Sequence, residues 1–143
     1  MILLDTNVLV YAVDASSGAH TACRRAVEGA MWQVFEAVLF PQVLTEFLAV
    51  VTSVRRVASP LSLDDAMAQV TDWRRAIPVR YPTARCLDEL TTLASERRRT
   101  GQDIHDLFLA AQMRAHGVDD ICTVNGVDFN GIRGIGVVAP DSL

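Results

Sequence analysis

The chain has 143 residues, 50% of them apolar, and a net charge of −4 from 17 acidic and 13 basic side chains. That length and composition suit one packed domain spanning residues 1–143, able to bury a core without disulfides or a structural metal, and exclude a disordered or low-complexity chain. Every base is arginine, which also excludes any chemistry that depends on a lysine.

The opening Met1-Ile2-Leu3-Leu4-Asp5 has no basic region and meets a carboxylate before a signal-peptide core could form. No uninterrupted apolar stretch approaches the roughly 20 residues that span a bilayer. A cytoplasmic protein with no membrane partner is therefore expected. Cys23, Cys86 and Cys122 are odd in number and far apart, so they suggest small buried side chains rather than a disulfide framework or a zinc ribbon. His20, His105 and His116 show no ligand spacing. Any metal site this chain builds must be made of carboxylates.

Along the chain, Ile2 to Leu4 reads as a short buried strand, followed by a helix from about Asn7 that Thr6 or Asn7 could cap. Ala22, Ala26 and Ala30 give a second helix, around Ala19 to Ala30, one small packable face. Val38-Leu39-Phe40 reads as a second strand, and Pro41 takes the first position of a helix expected to run to about Arg56. Its apolar stripe would be Val43, Phe47, Val50, Val51 and Val54, with Glu46 along the edge and aimed at the protein. After the Ser59-Pro60 break, Ser62-Leu63-Asp64-Asp65 opens a helix to about Trp73 or Arg75. Ile77, Val79 and Tyr81 alternate as a short strand. Thr83 begins a helix with Leu87, Leu90, Leu93 and Ala94 inward, Arg97-Arg98-Arg99 near its end, and Gly101 as its stop. From about His105 to His116 a further helix places Asp106, Ala110 and Met113 on one face, with Gly117 as a left-handed cap. Ile121 to Val124 and Gly136 to Ala139 supply two closing strands. Strands alternating with helices predict an α/β domain of three layers around a parallel sheet.

Asp5 stands where the first strand ends, which is where open α/β sheets bind their ligands. Glu46, Asp106 and Asp128 are acids in comparable settings, and Asp103, three residues before Asp106, competes for that role. Each has an ordinary alternative: Asp5 as a helix cap, Glu46 as a solvated edge, Asp106 as a partner of the helix dipole, Asp128 in an Asx turn. Taken together they suggest a site for a divalent cation, because carboxylate-held magnesium or manganese supplies what phosphodiester hydrolysis needs without a nucleophilic side chain.

Asp5-Thr6-Asn7 after the first strand, the Leu-Thr-Glu-Phe helix with Glu46, His105-Asp106 leading into Ala110-Ala111, and the Thr-x-Asn-x-x-Asp-Phe run at Thr123 to Phe129 resemble a PIN-domain ribonuclease, most of all the VapC-type toxins of toxin–antitoxin pairs. The resemblance covers essentially the whole chain. It implies a PIN-like fold and an endoribonuclease dependent on Mg2+ or Mn2+. It also implies an RNA substrate, a cognate VapB-type antitoxin and a homodimer. On these positions it makes Asp5 and Asp106 the principal metal ligands, adds Glu46 to the first site and Asp128 to a second, and lets the Thr6 hydroxyl orient the site. Many relatives carry an aspartate where this chain has Asn125, so the fourth ligand rests on Asp128.

Arg55-Arg56, Arg74-Arg75 and Arg97-Arg98-Arg99 are candidates for phosphate contacts, weighed against plain solvation. Trp32, Trp73 and Tyr81 are expected to pack rather than stack on bases. Dehalogenase-like phosphatases and receiver domains require a lysine, and the glycine run 131–136 has the wrong order for dinucleotide binding. The rival that remains is a PIN fold without catalysis, serving as an RNA- or protein-binding module.

Overall fold

The computed structural model describes residues 1–143. Four short strands, β1 (Ile2–Leu4), β2 (Ala37–Val38), β3 (Asp120–Cys122) and β4 (Gly136–Val138), form one sheet in the order β2-β1-β3-β4. All three pairings are parallel. Six helices flank the sheet: α1 (Thr6–Val13), α2 (His20–Met31), α3 (Pro41–Val51), α4 (Leu63–Ala76), α5 (Ala84–Arg97) and α6 (Asp103–His116). This is the three-layer α/β architecture expected from the alternation of strands and helices.

Strands so short are held by what they bury. Leu3, Leu4, Val38, Ile121 and Cys122 are fully enclosed, as parallel strands covered on both faces must be. They belong to one apolar cluster of 32 residues that also takes Val43 and Phe47 from α3, Trp73 from α4, Leu93 from α5 and Leu107, Ala110, Ala111 and Met113 from α6. Phe47 meets Trp73 edge-on with ring centroids 4.7 Å apart, which locks α3 to α4.

Several elements depart from the sequence expectation. Helix α3 stops at Val51 rather than near Arg56, because the Thr52 hydroxyl donates back to the Leu48 carbonyl at 2.7 Å and the Ser53 hydroxyl oxygen accepts the Arg55 amide. Val54 therefore leaves the apolar stripe and is exposed. Segment 77–81 contributes only a bridge between Leu39 and Val79, since Pro78 has no amide hydrogen with which to extend a ladder. In α5 the inward stripe runs through Cys86, Leu90 and Leu93, so Leu87 faces solvent. That helix ends on Arg98, which itself adopts the left-handed conformation at φ 51°, three residues before Gly101. Helix α6 starts at Asp103, two residues earlier than expected, and closes on Gly117 at φ 66° as its sequence suggests.

Candidate active site

The strand order places a topological switch between β1 and β3: the chain moves to one side of β1 for β2, then to the other for β3 and β4. In an open parallel sheet the crevice lies at the carboxyl ends of the strands flanking that switch. Asp5 follows β1 there and Thr123 follows β3. Helix α3 leaves β2 at the same edge, and α6 runs back over the sheet to enter β3, so its amino-terminal turn also returns to that edge. Two loops and two helix starts thus meet at one place.

Asp5 is the amino-terminal cap of α1, the ordinary alternative the sequence offered for it, and neither Thr6 nor Asn7 takes that place; its Oδ1 accepts the Thr6 amide at 2.7 Å. Its Oδ2 accepts the Thr123 hydroxyl at 2.6 Å and the Asn7 side-chain amide at 2.7 Å. Asn7 also donates to Thr123 Oγ1 at 2.9 Å and accepts the Val124 amide through Oδ1 at 3.1 Å, so α1 is stitched to the loop after β3. Capping and site-building are therefore not alternatives for Asp5.

Thr6 donates its hydroxyl to Glu46 Oε2 at 2.8 Å. The other oxygen of Glu46 accepts from Gln42 Nε2 at 3.1 Å, and the same nitrogen reaches the carbonyl of His105 at 2.9 Å. Asp106 follows His105 in the first turn of α6. Asp103 is exposed at the helix start, while Asp106 is half-buried and faces Glu46, so Asp106 is the acid of this pair that belongs to the crevice. Asp128, in the 3₁₀ turn Gly126–Asp128, accepts the Asn125 side-chain amide at 2.7 Å and stands beside Asp106.

The electrostatics describe one negative crevice. Burial pushes the Asp5 carboxyl up to about 6; hydrogen bonds from Thr123 and Thr6 pull it down, and repulsion from Asp106 and Glu46 raises it further. Burial also raises Asp106, with repulsion from Asp128 and Glu46 adding to it and Arg99 opposing. None of the molecule's ion pairs includes Asp5, Glu46, Asp106 or Asp128.

The oxygen donors match the chemistry of a hard divalent cation. No three of the molecule's His, Cys, Asp or Glu side chains stand close enough together to ligate one ion as a group. The Asn125 side-chain amide donates to Asp128, so Asp128 is the one carboxylate of this turn.

A PIN domain family model matches residues 2–132. The chain belongs to the PIN-domain family. Ribonuclease VapC37 of Mycobacterium tuberculosis (strain ATCC 25618 / H37Rv) is 30% identical over 146 aligned positions, covering 100% of this chain and 99% of that protein. VapBC2 from Rickettsia felis, bound to a DNA fragment from its promoter, superposes with a TM-score of 0.71 at 18% identity, covering 97% of this chain and 98% of that one. Mycobacterium tuberculosis VapC20, a toxin that cleaves the sarcin–ricin loop, gives 0.66 at 18% identity over 90% and 93% of the two chains. At that identity the structural likeness speaks for the PIN fold.

Three residues of this PIN domain's crevice carry no role in the sequence reading: Thr123, Asn7 and Gln42. Thr123 and Asn7 lay inside quoted motifs, but only their meeting across 116 residues reveals a hydrogen-bond frame around Asp5. Of the arginine clusters, the one at 97–99 reaches the crevice: Arg99 opposes the shift at Asp106, and Arg97 donates to the Asn130 carbonyl at 3.1 Å. Arg55, Arg56, Arg74 and Arg75 are exposed elsewhere, and Trp73 is core. No helix is long and apolar enough to cross a membrane. A cavity of about 470 Å³ lies away from these acids, among Val13, His20, Met31 and Trp73, so volume would not have located the crevice.

Proposed function

We propose that this chain is a VapC-type endoribonuclease toxin dependent on Mg2+ or Mn2+, acting on RNA, neutralised by a cognate VapB-type antitoxin and working as a homodimer. The observation that carries the proposal is the convergence of Asp5, Glu46 and Asp106 on one crevice, with Asp128 beside Asp106 and no ion pair compensating any of them. The naming of the 30%-identical relative as a ribonuclease supports the reaction class, and the VapBC assembly among the structural neighbours supports the antitoxin.

Asp5 and Asp106 would bind the cation directly, with Glu46 reaching it through retained waters and Asp128 beside Asp106. The bound cation would supply an activated water and neutralise charge on the phosphoryl oxygens. The chain's own residues prepare that task. Thr123, Asn7 and the Thr6 amide fix both oxygens of Asp5, occupying three of its about four acceptor sites and leaving one, on Oδ1, for a cation. Thr6 and Gln42 fix Glu46 from two sides. Uncompensated carboxylates repel: at about 4 Å and an effective dielectric of about 20, two unit charges cost about 4 kcal/mol, which a divalent cation relieves. Arg99, at the rim, is placed to meet a phosphate drawn toward the acids.

Incubation of the purified chain with total RNA, with and without added Mg2+ or Mn2+, tests this. Cleavage at defined sites, lost in EDTA and lost in Asp106→Asn, is expected. Equal cleavage by wild type and Asp106→Asn, or none by either, would favour the binding-module alternative.

A further inference from the structure

Gln112 is an anomaly in α6. It is fully buried among Ala110, Ala111 and Met113, where an apolar side chain would pack, and its Oε1 is the one buried side-chain oxygen or nitrogen in the molecule without a hydrogen-bond partner. Burying an acceptor without a partner is unfavourable, so its retention calls for a reason outside packing.

The reason lies in the direction of the hydrogen bonds. Glu46 Oε1 and the His105 carbonyl only accept, and both face the same end of the Gln42 amide, at 3.1 and 2.9 Å. Gln42 must therefore present its NH2 to them and turn its oxygen inward. That oxygen needs a donor, and Gln112 supplies Nε2 at 2.9 Å. With its nitrogen committed, Gln112 is left with its own oxygen toward the core. The orphan atom is the consequence of a chain polarised by the carboxylate of Glu46: Gln112 donates to Gln42, Gln42 donates to Glu46 and His105, and Thr6 holds Glu46 from the far side.

We propose that Gln42 and Gln112 form a positioning relay that sets Glu46 against Asp106. Gln42 joins the first turn of α3 to the residue preceding Asp106, and Gln112, one helix face deeper in α6, holds Gln42 in the rotamer that makes both bonds. Neither glutamine touches the reacting atoms. This inference rests on the metal-centre reading above, since it concerns the spacing of two of its ligands. Partners that orient metal-binding carboxylates typically contribute about ten- to a hundredfold in affinity.

The test compares wild type with Gln42→Met, Gln112→Met, Gln112→Leu, the Gln42→Met/Gln112→Met double variant and Asp5→Asn, all as full-length chain, with Mn2+ binding followed by electron paramagnetic resonance and urea midpoints measured in EDTA. Gln112→Met is expected to weaken Mn2+ binding about tenfold while its urea midpoint in EDTA stays level, because removal of the orphan oxygen offsets the donor lost to Gln42 Oε1. The double variant is expected to bind Mn2+ no more weakly than Gln42→Met alone, because Gln112 acts through Gln42. Wild-type affinity in Gln112→Met beside lost binding in Asp5→Asn would overturn the relay alone. Losses that multiply in the double variant would also overturn it, as would midpoints that fall in step with affinity in both Gln112→Met and Gln112→Leu. Wild-type binding in Asp5→Asn would instead remove the metal centre itself, and the relay with it.

Discussion

Asp5 gives the sharpest prediction, because its charge opposes folding in a pH-dependent way. It is 9% exposed, and its carboxyl is pushed from its ordinary 3.8 up to about 6. The folded chain thus holds the Asp5 proton more tightly than the unfolded chain does. The stability linked to that proton is fully present below about pH 3.8 and is lost as pH rises through about 6. Integrating between these values, the loss is about 1 kcal/mol at pH 4.5 and about 3 kcal/mol at pH 7.5. Asp5→Asn removes the titration. It also turns one carboxylate oxygen into a donor, which disturbs the bond from Thr6 or those from Thr123 and Asn7, at about 1 kcal/mol each and independent of pH. The stability of the variant relative to wild type should therefore improve by about 2 kcal/mol between pH 4.5 and 7.5. Urea unfolding in EDTA, followed by circular dichroism at both pH values, measures this, and titrating groups that do not interact with Asp5 cancel in the difference. A gap that stays constant with pH, or moves the opposite way, would refute the claim that burial, with the neighbouring acids, holds the Asp5 carboxyl above its ordinary value.

Thr123→Val removes the hydroxyl that donates to Asp5, so the Asp5 carboxyl should move further above about 6; a fall, seen by carbon-detected NMR titration, would contradict the hydrogen-bond frame. Asn125→Asp replaces a donor with a second carboxylate at Asp128, which should lower the urea midpoint in EDTA and give a larger Mn2+-dependent recovery than wild type shows; an unchanged midpoint would count against the Asn125–Asp128 contact. Phe47→Ala, at a fully buried ring stacked edge-on against Trp73, should cost about 3–5 kcal/mol in urea unfolding, and a cost below about 1 kcal/mol would mean that α3 is not anchored there.

The sheet was legible because buried strands and helix starts leave strong local signals: Ile2 to Leu4 is an apolar run closed by a carboxylate, Pro41 marks the first position of α3, and Gly117 closes α6. The errors fall where local chemistry overrides periodicity. The hydroxyls of Thr52 and Ser53 end α3 ahead of Val54, and Arg98 takes a left-handed cap that a glycine three residues on would have adopted more cheaply. At the crevice, the acids were legible singly from their places at strand and helix ends. Their spacing was not. Nothing local distinguishes Asp106 from Asp103 until Glu46 is seen to face the former. Gln42 and Gln112 could not have been found at all, since a glutamine in an amphipathic helix is an ordinary residue and their contact spans 70 positions.

The central claim is that Asp5, Glu46 and Asp106 form one cation site at the switch between β1 and β3. A Mn2+-soaked crystal measured at the manganese absorption edge tests it most directly. Anomalous density in the crevice, at bonding distance from the Asp5 carboxylate and absent in Asp5→Asn, is the expected result. A fully occupied Mn2+ bound elsewhere, with the crevice empty, would contradict it.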